Sequence, residues 1–273
     1  MERHFINLTF DLEEFDIPEE YGQKVSENNQ MDVTLEGMNR LMRVLDKHDI
    51  TVTFFTTGNF ARKNPELVRN LAAKHEIASH ALYHSPAHIF QQDDILISKQ
   101  ILESVSESRV TGFRMPRLAP FDESKLTEWG FEYDSSVNPT YLPGRYNLLH
   151  KNPLPYIEKG LIELPCSTTP FLRFPLFWLS FKNLPPAIYS SMCLRTLRKR
   201  KTLMLYFHPW EFADISSFKL PGFVKNNNGQ KLTNRLDGLI QYLKSNKGEF
   251  VTCQQFCTQL KEKSYLLKSP WKI

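Results

Sequence analysis

No apolar run in the chain approaches the roughly 20 residues that a membrane-spanning helix needs, which argues against an integral helical membrane protein. The N-terminus, Met1-Glu2-Arg3-His4-Phe5, enters an alternating apolar segment directly, without the basic start and unbroken apolar stretch of a secretion signal; a cytoplasmic protein is expected. Cysteine is scarce, with only Cys166, Cys193, Cys253 and Cys257 among 273 residues, which agrees with a reducing compartment. Cys253 and Cys257 stand four apart with no further Cys or His at zinc-site spacing, and read as buried thiols on a helix. Charge of one sign is also lacking: 34 Lys and Arg oppose 30 Asp and Glu, a net +4. Without a concentrated basic stripe this argues against a nucleic-acid partner, while it suits a sugar carrying an anionic group. Short-period repeats and low-complexity linkers are absent too. With 41% hydrophobic and 23% charged residues, the composition is that of one folded domain spanning residues 1–273.

What is present is an alternation of short apolar runs and helical patterns, the mark of βα units and a mostly parallel sheet. Strands are expected at Phe5 to Phe10, Thr51 to Phe55, Glu76 to Ser79, Val110 to Phe113, Phe131 to Tyr133, Leu161 to Leu164, Leu203 to Phe207 and Phe250 to Thr252. A polar loop from Glu19 to Gln30 precedes a helix opening at Thr34, whose Leu35, Met38, Leu41, Met42 and Leu45 share a face. Asn64-Pro65 starts another helix, and Asp122 caps a short one. Further helices are expected over Asp93 to Val105, Pro186 to Arg198 and Leu232 to Leu243, with one more at the end. About seven or eight strands result.

Five ionisable residues each follow a strand: Asp11, His80, Arg114, Asp134 and His208. In a parallel barrel those ends share one face, where active sites of such barrels are built. Asp11-Leu12-Glu13-Glu14 crowds carboxylates at the mouth of the first strand. His80-Ala81-Leu82-Tyr83-His84 sets two imidazoles one helical turn apart, close enough to share a metal. Two His and a carboxylate hold a divalent cation while leaving positions open. Ala81 stands where a zinc-protease helix needs Glu, so that class is disfavoured.

These residues resemble the polysaccharide deacetylases of the NodB-homology type, the fourth family of carbohydrate esterases. Thr9-Phe10-Asp11 resembles the family's first motif and Ser79-His80-Ala81-Leu82-Tyr83-His84-Ser85 its paired-histidine motif. Arg114-Met115-Pro116-Arg117 resembles the third, Asp134 opens the fourth, and Leu205-Tyr206-Phe207-His208-Pro209 resembles the fifth. Tyr133 to Val137 and His208-Pro209-Trp210-Glu211 are similar to cytoplasmic members linked to exopolysaccharide biosynthesis. The resemblance implies an incomplete, distorted (β/α) barrel of about seven parallel strands that removes acetyl from an N-acetylated saccharide, free or lipid-linked.

It also implies roles. Glu13, His80 and His84 hold the metal, zinc being the expected ion and cobalt, nickel, manganese or iron the alternatives. Asp11 is the base, paired with Arg114, and His208 is the acid, oriented by Asp134. The Arg117 backbone N–H serves the oxyanion, with Pro116 and Trp210 beside the substrate. The sequence departs from the family where Leu12 follows Asp11, since many members have a second Asp there as ligand. Alternation places Glu13, rather than Glu14, on the same side as Asp11. Arg117 replaces a frequent Tyr.

Pro170 to Phe181, with Phe171, Phe174, Phe177, Trp178 and Phe181, fits core, the lining of a sugar cleft, or contact with a membrane. Arg198-Lys199-Arg200-Lys201 suits a solvated helix C-terminus, with a phosphate or membrane contact as the alternative. Rival functions are hydrolysis of another C–N bond, such as a cyclic ureide, carbohydrate binding without turnover, and a non-haem iron oxygenase.

Overall fold

The computed structural model describes residues 3–262. Its strands are β1 (His4–Leu12), β2 (Thr53–Thr56), β3 (Glu76–Ser79), β4 (Gly112–Phe113), β5 (Tyr133–Asp134), β6 (Tyr141–Leu142), β7 (Tyr146–Asn147), β8 (Tyr156–Glu158), β9 (Leu161–Glu163), β10 (Thr202–Phe207) and β11 (Gly248–Phe250). Seven run parallel in the order β10-β1-β2-β3-β4-β5-β9. β8 adds antiparallel to β9, β11 pairs parallel with β1, and β6 and β7 form a separate hairpin. The sheet curls into an open half-barrel. Its far edge returns toward β10 through Ser167, whose N–H donates to Met204 O (2.9 Å) and whose Oγ accepts from Met204 N–H (2.8 Å).

The period of two along each strand divides its side chains between two environments. On β1, Ile6, Leu8, Phe10 and Leu12 join the large core under the helices, with Phe54 of β2, Ile77 of β3 and Leu203, Leu205 and Phe207 of β10. The alternate residues Asn7, Thr9 and Asp11 enter the barrel, as do Phe55, Ala78 and Met204. The polar ones are satisfied there: Asn7 donates to Val251 O and Thr252 O, and Thr9 to Leu205 O. All four cysteines are buried, Cys253 and Cys257 on the helix Cys253–Glu262, as expected.

Several boundaries differ from the sequence expectations. The first long helix opens at Glu27, not Thr34, because Ser26 Oγ accepts the Asn29 N–H and starts it a turn and more before its apolar face begins. Asp122 Oδ1 accepts the Ser124 N–H, but turns rather than a helix follow. Tyr133–Asp134 and Gly248–Phe250 each lie two residues from where apolar content placed them. The loop after β1 is held down by Thr34, whose hydroxyl donates to Glu13 O (2.8 Å).

Gly37, on the helix Glu27–His48, passes so close to the turn after β10 that a Cβ there would run into the Pro209 carbonyl. Backbone cannot yield as a flexible side chain can. Gly37→Ala is therefore expected to lower stability by about 2 kcal/mol, a Tm fall of roughly 5 °C in a thermal melt.

Candidate active site

The inward row of β1 ends in Asp11, and β4 delivers Arg114 opposite it. Arg114 is fully buried, and its guanidinium is used in every direction. Nη1 donates to Asp11 Oδ1 (2.6 Å) and Thr9 Oγ1 (2.9 Å), Nε to Ser135 O (3.1 Å) and Nη2 to Ser135 Oγ (2.9 Å). Its plane lies 4.0 Å over the Phe55 ring. Burial opposes the charge, but the Asp11 carboxylate outweighs it and holds Arg114 above its usual range.

Two residues on, Glu13 Oε2 lies 3.2 Å from His80 Nε2 and 3.1 Å from His84 Nε2. His80 follows β3, and its Nδ1 is 2.8 Å from Arg114 O, a carbonyl that can only accept; Nδ1 therefore carries a proton, and Nε2 faces Glu13. His84 Nδ1 likewise faces Asp16 Oδ1 at 2.9 Å. The histidines are not on a helix, as their spacing implied. Ala81 takes a left-handed φ of 55°, and the chain loops back to stack the two rings at 5.7 Å. Glu14 is excluded from the cluster, since it accepts from Thr57 Oγ1 (3.1 Å) and Asn59 Nδ2 (2.6 Å) instead. One ligand atom each from Glu13, His80 and His84 lies within 4.8 Å of the other two. Outer acceptors fix both ring orientations. This donor set suits a divalent cation.

The same arrangement perturbs the groups themselves. Burial raises the Glu13 carboxyl, but His84, His208 and His80 together hold it well below the usual carboxylate range. Burial lowers His84, yet Asp16 and Glu13 lift it to about 10. A cation would take the place of the proton that lets these groups share so small a space.

His208, after β10, faces the cluster from the other side, with Nε2 3.9 Å from Asp11 Oδ2 and 4.0 Å from Glu13 Oε1. Its orienting carboxylate is Glu211, not Asp134: Nδ1 is 3.1 Å from Glu211 Oε1, which also accepts the His208 N–H. Behind Glu211 lies Lys182, an ion pair at 3.2 Å with neither side chain exposed and no aligned hydrogen bond. Burial disfavours the His208 cation, but Glu13, Glu211 and Asp11 outweigh it and raise its pKa. Asp134 instead accepts from Ser136 Oγ (2.6 Å) and pairs with Glu163, on the wall of a neighbouring cavity of about 700 Å³. The sequence placed it at the right strand end. The turn after Asp134 carries it away from His208, and a carboxylate three residues beyond the histidine does its expected work.

Trp210 lines the pocket that also holds Asp11, Glu13 and His208. It is buried, donates from Nε1 to Glu13 Oε1 (3.1 Å), and stacks on His208 at 4.9 Å. Trp178 is the half-buried aromatic on the pocket wall, meeting His208 edge-on at 5.3 Å. Pro116 is buried and starts a turn in which Arg117 and Leu118 both have left-handed φ, 58° and 49°. The Arg117 side chain pairs with Asp16 and Glu20. Asp11, Glu13, His84, Arg117, Trp178 and His208 line one pocket of about 270 Å³. Sequence reasoning assigned no role to Asp16, Glu211 or Lys182. Glu211, three residues after His208 across a turn begun by Pro209, carried a local signal; Lys182 carried none.

Comparison with known proteins gives the same picture. The sequence profile of the polysaccharide deacetylases matches residues 2–133. That match covers 132 of the 273 residues, just under half of the chain. Residues 135–257 match a further family, a domain of unknown function (DUF3473). The deacetylase segment supplies Asp11, Glu13, His80, His84 and Arg114, and the second segment supplies Lys182, His208 and Glu211. The chain is similar to the peptidoglycan-N-acetylmuramic acid deacetylase PdaA of Bacillus subtilis, 33% identical over 97 residues (33% of this chain, 36% of that protein). It is also similar to the chitooligosaccharide deacetylase of Sinorhizobium fredii, 32% identical over 65 residues (23% and 29%). The chain spans about half or less of the length of the curated relatives it matches. Among solved structures, a probable polysaccharide deacetylase of Pseudomonas aeruginosa PAO1 superposes with a TM-score of 0.67 (16% identity, 98% of this chain and 92% of that one). The Puue allantoinase superposes at 0.65 (16%, 98% and 91%), and a CE4-family pseudoenzyme of Bacillus anthracis at 0.55 (14%, 93% and 66%). These likenesses are of fold.

Two outcomes follow from the geometry. Wild-type protein purified in metal-replete buffer should retain about one equivalent of divalent ion by elemental analysis, and Glu13→Ala or His84→Ala should lose it. Separately, burial lifts the Asp134 carboxyl to about 6 and pushes its neighbour Glu163 well above the usual carboxylate range. Both titrate near ~4 when unfolded, so the native state binds the extra proton and stability falls as pH rises from about 4 through 6. Urea denaturation across that range should show a loss on the order of 2 kcal/mol that shrinks in Asp134→Asn.

Proposed function

We propose that the chain hydrolyses the N-acetyl group of a sugar or polysaccharide precursor, and that both matched segments build one catalytic unit. The observation that carries this reading is the convergence of two imidazole Nε2 atoms on the Glu13 carboxylate, with Asp11 and His208 flanking it in the same pocket. Glu13, His80 and His84 would hold a divalent cation, zinc by donor type. When bound, it supplies polarisation of the acetyl carbonyl and a water acidified to a pKa of roughly 7.

The remaining chemistry belongs to the chain's own residues. Arg114 engages Asp11 Oδ1, leaving Oδ2 turned toward His208 and the pocket, placed to accept a proton from the attacking water. The Arg117 N–H, in its strained turn at the pocket wall, donates to the developing oxyanion, a contribution of about 3 kcal/mol for such a donor. His208, held as a cation by the carboxylates around it, gives its proton to the departing nitrogen, because an amide anion leaves poorly. Glu211 keeps the His208 ring oriented, and Lys182 neutralises Glu211 from behind. Trp210 aims Glu13 from one side while packing against His208 on the other.

Hydrolysis of a cyclic amide on the same frame is the second reading, which the fold shared with allantoinase favours. Acetate release from a panel of N-acetylated saccharides, set against ring opening of cyclic ureides, separates the two. Asp11→Asn and His208→Ala should each lower turnover by about 10²- to 10⁴-fold while the far-UV spectrum stays that of the folded wild type. Activity that survives both substitutions would sink this assignment.

A further inference from the structure

From Leu164 to Trp210 the sequence contains no Asp or Glu, while seven of the 34 Lys and Arg fall there, so the rest of the chain is net −3. The positive charge of the molecule is thus concentrated in one segment. Within it, a turn closed by the bridge between Thr168 and Pro175 holds Phe171 68% and Leu172 88% exposed. On the following helix, Pro186–Arg200, Ile188 is 52% exposed and shares a face with Arg195 and Lys199, seven and eleven residues on. The turn and the helix meet. Lys199 Nζ lies 3.9 Å from the centre of the Phe171 ring, and Arg195 Cζ lies 5.8 Å from it. Neither cation has an ion-pair partner among the described residues.

An exposed apolar tip beside two cations, Arg195 and Lys199, fits one environment well. Phe and Leu gain by leaving water for the boundary between headgroups and acyl chains, and Lys and Arg gain from anionic headgroups at the same depth. A polyanionic saccharide would use the cations but leave Phe171 and Leu172 in water. A two-residue tip is also too small for the core of a stable protein interface. We propose that this face docks on an anionic phospholipid bilayer, with Phe171 and Leu172 entering the headgroup region and Arg195 and Lys199 meeting the lipid phosphates. Among the described residues no helix is long and apolar enough to cross a membrane. Phe177 and Trp178, next along the same segment, line the catalytic pocket, so docking would bring that pocket toward the lipid surface. If the deacetylase reading holds, a saccharide on a lipid carrier is presented there.

The test is sedimentation with large vesicles of phosphatidylcholine alone or with about 30 mol% phosphatidylglycerol, which needs no turnover and so stands or falls separately from the proposed activity. The intact protein should sediment with the anionic vesicles, stay in solution with the zwitterionic ones, and be released by high salt. The double substitutions Phe171→Ser/Leu172→Ser and Arg195→Gln/Lys199→Gln should each weaken binding by at least about tenfold with melting temperature unchanged. Wild type that stays in solution with anionic vesicles, or apolar-tip variants that bind as wild type does, overturns the proposal. So does a dimer in size-exclusion chromatography that the Phe171/Leu172 substitutions dissociate, which would assign the face to a second copy.

Discussion

A guanidinium buried inside a half-barrel is costly unless each of its donors finds an acceptor, and the arrangement around Arg114 meets that demand. Thr9 and Asp11 from β1 and Ser135 from beyond β5 take its N–H groups, while the Phe55 face covers it. The backbone carbonyl of the same residue receives His80 Nδ1 and so sets that ring's tautomer. One residue therefore positions a carboxylate on one side and an imidazole on the other. Remove the charge, and Asp11 is left as a buried carboxylate with no cation opposite it.

A second layer of acidic groups works from outside the first. Asp16 orients His84 and pairs with Arg117, while Glu211 orients His208 and pairs with Lys182. Each histidine thus carries its own acceptor, so each keeps a defined nitrogen turned into the pocket. Both tryptophans line the pocket, and Trp210 also holds Glu13 and His208 in place. The segment matched at residues 2–133 holds Glu13, His80 and His84, and the segment after it holds His208 with Glu211 and Lys182 behind it. Pairing of β1 with β10 brings them within 4 Å of each other.

Much of this was legible from the residues. The strand-end positions of Asp11, His80, Arg114 and His208 followed from apolar runs of known period, because a strand's pleat decides which residue leaves it facing inward. Alternation also picked Glu13 over Glu14. Asp134 shows the limit of that logic. It ends its strand as expected, yet the short strand and the turn after it point the carboxyl to Glu163, where burial raises both groups. The histidine pair shows another limit, since a spacing of four suits a helix but is met here by a loop that turns on the left-handed Ala81.

The sequence by itself determined the sheet order's raw material: which runs are strands, which of their faces are apolar, and which ionisable residues stand at their C-terminal ends. It did so because those properties depend on neighbours two or four residues away. The partners of the buried charges were decided only in the folded chain. Lys182 behind Glu211 and Asp16 behind His84 join residues 29 and 68 positions apart. No local pattern encodes such a pairing, because a buried charge takes as its partner whatever the packing of distant elements leaves within reach.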